Sequence, residues 1–413
     1  MSSPKTPHNA THTPKQTETH RQETLVARYG VNTDESHGAV IPPIHLSSTF
    51  AFRKFGEKGR YDYTRSGNPT RDQFAGALAA IENGSGAVVT ASGMAAVHLV
   101  TQLLQADDLL VAAHDCYGGC HRLFSAAIRK RQFRLQWLPL WETGLSLEKI
   151  RALKPRMVWI ETPSNPLLRI TDVKAIAQAA HEVGAQVVVD NTFMSPSGQQ
   201  PIALGADIVV HSTTKYINGH SDVVGGAVIA KDPAVLEELA WWANCLGLTG
   251  SPFDSFQALR GLRTLSVRYQ QHQRNATAIA ALLNASDIVD KVYFPGLVEH
   301  PGHAIAACQQ LGFGAMVSFE LGGSAEEVPV FLEALQLFTL AESLGGVESL
   351  VAHPASMTHA AMAQADQDAA GITSNLLRLS VGIEHIDDLV ADLQRGFAAV
   401  CQYRQSAQLR GVA

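Results

Sequence analysis

Several short segments of this chain are apolar from end to end: residues 109–113, 157–160, 187–189, 208–210 and, with two leading glycines, 225–229. A strand with one wet face alternates apolar and polar residues, whereas an unbroken apolar strand must be covered on both faces. Between these segments the spacing turns helical. Val173, Ile176, Ala177, Ala180 and Val183 share one helical face, and Gly184 closes it. A further helix is expected at 75–81, and a strand at 87–91 runs through Ser92-Gly93-Met94 into a helical stretch at 95–104. Apolar strands alternating with amphipathic helices predict an α/β fold whose largely parallel sheet carries helices on both faces. In such sheets ligands collect beyond the carboxyl ends of the strands. Polar clusters follow these strands near residues 92, 115, 162, 190 and 213, which is where a site is expected.

After about residue 251 the texture changes. A long helical stretch, 253–283, leads into apolar-rich segments at 289–294, 315–320 and 376–381, with helix signals at 325–335 and 386–400. Helices and strands without strict alternation predict a second, smaller α+β domain. The expected division is a large domain over 71–255 and a smaller C-terminal domain over 256–413. Residues 1–22 are rich in Thr, His, Pro and Gln and are expected to be a disordered tail.

Composition narrows the function. With 46% hydrophobic and 17% charged residues, the 413-residue chain can build a core. Its 32 basic and 38 acidic residues offer no electrostatic footprint for nucleic acid. No apolar run approaches the ~20 residues that span a bilayer, and the polar N-terminus is unlike a signal peptide. A cytoplasmic protein without membrane partners is expected, with Cys116, Cys120, Cys245, Cys308 and Cys401 as reduced thiols. The chain has no P-loop, no dinucleotide-binding glycine motif, no G-x-S-x-G elbow and no H-E-x-x-H. His114, Cys116, Cys120 and His121 are the compact Cys/His group. They lack a second ligand pair, and Gly118-Gly119 reads as a turn, so no metal is expected.

The informative group is Asp190, Lys215 and the turn Ser92-Gly93-Met94. A lone Asp after a strand is commonly a cap, and a lone Lys is commonly solvent-exposed. Lys215, however, follows a strand and three hydroxyl residues, Ser212, Thr213 and Thr214. A lysine partly desolvated at a strand end has a lowered pKa and can form a Schiff base. Schiff-base chemistry on amino acids suggests pyridoxal 5'-phosphate, which needs a carboxylate at its pyridine nitrogen, a phosphate cradle and a flat partner. Asp190 is the candidate carboxylate. Gly93 and Met94 open a helix whose N-terminal dipole suits a phosphate. Ser212 and Thr214, two apart on a strand-like stretch, would add hydroxyls on one side, and Tyr117 could stack on the ring.

The stretch around Lys215 resembles the cofactor-lysine signature of the Cys/Met-metabolism family of pyridoxal-phosphate enzymes. So do residues 61–71 (YDYTRSGNPTR), 113–119 (AHDCYGG), 161–166 (ETPSNP), 189–193 (VDNTF) and 341–346 (AESLGG), and the likeness extends over about 24–405. The resemblance implies a fold-type I transferase in which Lys215 holds the cofactor and carries protons. Asp190 would meet the pyridine nitrogen, Tyr117 would stack, and Gly93, Met94, Ser212 and Thr214 would bind the phosphate. It also implies that residues 23–70 form an arm carrying Tyr63 and Arg65 to the phosphate of a neighbouring subunit, in a homotetramer built as a dimer of dimers. Arg378 would clamp the substrate α-carboxylate; Asn165 and Thr192 would assist near ring and substrate; Glu342, Ser343 and Tyr63 would line the substrate pocket.

Within the family, residues 43–49, 241–244 and 338–343 are similar to the bacterial branch that makes L-cystathionine by γ-replacement. That implies a role in methionine biosynthesis by transsulfuration, with O-succinyl-L-homoserine or O-acetyl-L-homoserine as donor and L-cysteine as acceptor. Family lyases that split cystathionine, and sulfhydrylases acting on O-succinylhomoserine, share the same cofactor residues and stand as the alternatives. A cofactor-binding regulator is disfavoured, because binding alone needs no substrate clamp at Arg378. Ser66 stands where one branch has a second arginine that would suit an acidic substrate tail, which bears on the choice of acyl donor.

Overall fold

The computed structural model describes residues 20–360 and 364–411; most of the expected tail, up to residue 19, lies outside the described residues. The helix Gln22–Arg28 is the first regular element of the described chain. Seven strands form one sheet: β1 Gly86–Thr90, β2 Leu109–Ala113, β3 Arg134–Leu138, β4 Met157–Glu161, β5 Gln186–Asp190, β6 Ile208–His211 and β7 Gly226–Ala230. Their order is β1-β7-β6-β5-β4-β2-β3. Strands β6, β5, β4, β2 and β3 run parallel, whereas β7 is antiparallel to both β6 and β1. The apolar strands are buried because helices cover both faces: Val158, Trp159, Ile160, Val187, Val188, Ile208 and Val209 are all solvent-free.

Local chemistry sets where the helices begin. Asn68 accepts the N–H groups of Thr70 and Arg71, with Pro69 in the first turn, and so starts Pro69–Glu82. Ser92 accepts the N–H of Ala95 and starts Gly93–Thr101. Asp172 does the same for Val173–Glu182. The strands β1, β2, β4, β5 and β6 therefore end on one edge of the sheet, and the turns after them converge there.

A second sheet, ordered β10-β11-β12-β9-β8, is made of β8 Val289–Tyr293, β9 Met316–Leu321, β10 Thr339–Leu340, β11 Leu350–Ala352 and β12 Leu376–Ser380. It is antiparallel apart from the β10–β11 pair. The helix Ile386–Gly411 packs with Glu327–Ala334 in this part of the molecule. This is the smaller α+β unit beside the larger α/β one, and the expected fold class holds.

Several details differ from expectation: Gly118-Gly119, read as a turn, opens the helix Gly118–Arg129. The helical stretch at 253–283 is two helices, Pro252–Leu262 and Leu265–Asn284. The break persists because the Arg268 guanidinium satisfies the carbonyl of Gly261 at 2.8 Å and also that of Tyr216 at 2.9 Å. Strand β3 was not anticipated, because its mixed sequence Arg-Leu-Gln-Trp-Leu reads as an edge. Residues Ser212–Thr214 are not strand: β6 ends at His211 and a turn follows, so shared orientation cannot be argued from strand alternation. Among the described residues, no helix is long and apolar enough to cross a membrane. All five cysteines are free, with Cys116 and Cys120 buried.

Candidate active site

The polar turns gather where the sheet geometry puts them. Asp190, the last residue of β5, lies deep in the fold with one side open, and its Oδ1 accepts the N–H of Thr192 at 3.1 Å. Thr192 Oγ1 in turn accepts the N–H of Ser212 at 2.9 Å, tying the ends of β5 and β6 together. A Cβ added to Gly93 would fall 2.8 Å from Ser212 Cβ, so only glycine lets the N-terminus of Gly93–Thr101 come this close to Ser212. Thr214 Oγ1 bonds both to the carbonyl and to the N–H of Gly225. Tyr117, before the helix Gly118–Arg129, has its ring against Gly119, where the sulfur of Met94 also packs. The Tyr117 N–H donates to Glu161 Oε2 at 2.6 Å.

Lys215 meets the second sheet. Its Nζ donates to Ser343 Oγ at 2.7 Å. Ser343 has φ of 85°, a left-handed conformation that a non-glycine residue holds only under constraint. Its neighbours supply that constraint: Gly345 N–H donates to Ser380 Oγ at 2.8 Å, and a Cβ on Gly345 would lie 2.7 Å from the Tyr216 nitrogen. The Ser343 carbonyl accepts from Arg378 Nη2 at 3.0 Å, and Arg378 Nη1 donates to Asn165 Oδ1 at 2.9 Å. Arg378 is buried on β12, and its Nε has no hydrogen-bond partner. Lys215, Ser343, Arg378 and Asn165 thus form one hydrogen-bonded chain across the two sheets.

The electrostatics follow from burial. Burial, and then the Arg378 charge, push Lys215 down to about 8, while Glu342 works in the opposite direction. Burial brings Arg378 down to about 10. Burial raises Asp190 above the usual carboxylate range, against the hydrogen bonds from Thr192 and the attraction of His211. Burial also raises the Tyr117 phenol, keeping it neutral, and Arg122 opposes this.

Tyr63 and Arg65 make contacts of their own. The Arg65 guanidinium sits over the Tyr63 ring, and its Nη1 donates to the Asn244 carbonyl at 2.8 Å. Among the described residues, these contacts do not join them to Lys215, Asp190 or Ser212. Sequence reasoning passed over Arg122, exposed on the first turns of Gly118–Arg129 and electrostatically coupled to Tyr117, and Glu161 as a residue in its own right. The signal for Glu161 was available, since it closes an apolar strand just as Asp190 does.

Pyridoxal phosphate asks for an amine of lowered basicity, a desolvated carboxylate, a tight glycine-lined cradle at a helix N-terminus and a flat side chain. Lys215, Asp190, the Gly93–Ser212 approach and Tyr117 meet those demands on one edge of the sheet, so the residues present fit the cofactor.

Comparison with known proteins agrees. The pattern of the family described as Cys/Met metabolism PLP-dependent enzyme matches residues 23–398. The chain is 56% identical to cystathionine gamma-synthase of Escherichia coli strain K12 over 92% of this chain and 99% of that protein. It is 47% identical to cystathionine gamma-lyase of Dictyostelium discoideum over 90% and 96% of the two chains. The solved structure of cystathionine gamma synthase from Xanthomonas oryzae pv. oryzae in complex with cystathionine superposes with a TM-score of 0.91. Its identity to this chain is 57%, over 93% of this chain and 99% of that one. This chain belongs to the Cys/Met-metabolism family of enzymes that depend on pyridoxal phosphate.

Proposed function

We propose that the chain catalyses γ-replacement on an activated homoserine, forming L-cystathionine from O-succinyl-L-homoserine, or secondarily O-acetyl-L-homoserine, and L-cysteine. The observation that carries this reading is the hydrogen-bonded chain from Lys215 through Ser343 to Arg378, which sets a weakly basic amine beside a carboxylate clamp. The similarity to two cystathionine gamma-synthases over nearly the whole length supports the same reading.

When bound, pyridoxal phosphate supplies an electron sink that stabilises negative charge next to the substrate α-carbon. Arg378 would hold the substrate α-carboxylate through its guanidinium. Asn165 fixes the plane of that guanidinium. Lys215, lowered to about 8, is neutral often enough near neutral pH to take the proton from Cα and then one from Cβ. Ser343 holds the Lys215 amine on that side of the site. The γ-acyloxy group leaves as a free carboxylate, the cysteine thiolate adds at Cγ of the unsaturated substrate, and the protons that Lys215 took return to Cβ and Cα. Tyr117, a neutral phenol, would cover the cofactor ring, and Gly93, Met94, Ser212 and Thr214 would bind the phosphate. Thr192, whose N–H donates to Asp190 Oδ1, would hold that carboxylate for the pyridine nitrogen. Glu342 would line the substrate entrance, and Arg122, which acts on Tyr117 as Glu342 does, would supply a cation for an acidic acyl tail.

Residues 71–255 and 256–413 are proposed as the two domains, with 23–70 as an arm that reaches a neighbouring subunit of a homotetramer. Exposed Val40, Leu46, Phe52 and Phe55 on that arm support this arrangement.

The test is to offer O-succinyl- and O-acetyl-homoserine with and without cysteine, and cystathionine alone, identifying products by mass. Mostly cystathionine in the presence of cysteine is expected. Faster breakdown of cystathionine than its synthesis would favour a lyase, the reading that the 47% identity to a gamma-lyase keeps alive.

A further inference from the structure

Beside Asp190 stand two further acids, Glu161 and Asp115, that the γ-replacement chemistry does not use. Strands β4 and β5 are parallel neighbours, and Glu161 is the register partner of Asp190, so the two side chains leave the sheet on the same face. Asp115 follows the end of β2, the strand on the other side of β4. Glu161 is buried, and its Oε2 accepts the main-chain N–H of Tyr117 at 2.6 Å.

We propose that Glu161 is a positioning residue for Tyr117, holding its main-chain N–H as a neutral carboxylic acid so that the negative charge offered to the cofactor rests on Asp190. This rests on the reading of Tyr117 and Asp190 as cofactor contacts.

Two desolvated carboxylates side by side cannot both ionise cheaply, so the pair keeps one proton on the weaker acid. The surroundings decide which one. Asp190 is supported by the N–H and hydroxyl of Thr192 and by His211 from β6. The charged groups acting on Glu161 are Asp190 and Asp115, both acidic; burial followed by Asp190 drives it well above the carboxylate range, against the opposing pull of the Tyr117 N–H bond. Asp115 has its own cation, Arg169, at 3.6 Å, and its own hydroxyl partner, Ser164. The remaining titratable neighbours are Cys116 and Cys120, buried thiols held protonated, and the Tyr117 phenol, also held protonated. None of these supplies positive charge to Glu161. The Tyr117 N–H is the donor that would otherwise lack a partner where the chain enters Gly118–Arg129, and Glu161 anchors it.

The experiment compares wild type, Glu161→Gln and Glu161→Leu as apo chains titrated with pyridoxal phosphate. The readouts are the cofactor dissociation constant and the visible circular dichroism of the bound cofactor, which senses the stacked ring. Glutamine keeps an uncharged acceptor for the Tyr117 N–H, and so is expected to bind within about threefold of wild type with the same dichroic band. Leucine removes the acceptor and is expected to bind roughly 10-fold more weakly, with the band diminished, as for a lost buried hydrogen bond. Should the leucine chain fail to fold, Glu161→Asp, which keeps the acid but shortens its reach, is expected to lose the band in the same way. Glutamine as damaging as leucine would overturn the neutral-acid assignment, and an unchanged leucine variant would overturn the positioning role. A wild-type chain that binds no pyridoxal phosphate would overturn the cofactor reading itself and this inference with it.

Discussion

The two sheets build opposite walls of one site. The large sheet brings acids: Asp190 and Glu161 in register on β5 and β4, and Asp115 beyond β2. The smaller sheet brings a buried guanidinium, Arg378 on β12, and the strained Ser343 loop. Lys215 stands between them, held by a hydroxyl from the second wall although its own chain segment leaves the first. The difference teaches a division of labour. The acid wall, made from strand ends, offers carboxylates suited to a cofactor, whereas the cationic wall offers a guanidinium suited to a substrate carboxylate.

The most damaging way to probe the comparison is to remove what joins the walls. Lys215→Ala is expected to lower turnover by at least about 10²–10⁴-fold and to abolish the absorbance of lysine-linked cofactor, read by steady-state assay and spectrum. Removing the cationic wall comes next. Arg378→Ala is expected to lower kcat/KM by roughly 10–150-fold, mostly through KM, with cofactor affinity little changed. Asp190→Asn should do the reverse, weakening cofactor binding and kcat more than KM. If both variants damaged cofactor affinity equally, the two walls would not be separate in function.

A smaller effect lies in pH. The nucleophile that captures the cofactor is neutral Lys215, and its pKa is lowered to about 8, so recombination of apo chain with pyridoxal phosphate should accelerate as pH rises, with a midpoint near 8. Arg378 is the second cause of that lowering, after burial, so Arg378→Leu should move the midpoint upward. Stopped-flow absorbance across pH 6–10 reads both. The mildest test concerns the arm: mixing Lys215→Ala with Arg65→Ala chains should restore part of the activity if Arg65 completes a neighbour's site. No restoration, with subunit exchange verified, would confine each site to one chain.

How much of this was legible beforehand differs between the walls. The acid wall could be read from sequence because an apolar strand ending in Asp or Glu is a local pattern, and the sheet order then makes β4 and β5 neighbours. The meeting of Lys215 with Ser343 and Arg378 spans 128 residues and more, and no local periodicity encodes it; family resemblance, not spacing, pointed to Ser343 and Arg378. The turn at Ser212–Thr214 was misread as strand because a run of hydroxyl residues after apolar Ile208–Val210 carries no glycine or proline to mark the end. The break between Pro252–Leu262 and Leu265–Asn284 was invisible because it depends on Arg268 reaching carbonyls near Lys215, a tertiary contact.

The central claim is that Lys215, poised between an acidic and a cationic wall, is where this chain holds its cofactor. Borohydride reduction of the purified holoenzyme, followed by proteolysis and mass mapping, tests it most directly. The reduced cofactor is expected on the peptide that contains Lys215 and on no other. An adduct on a different lysine, with Lys215 unmodified, would contradict the account.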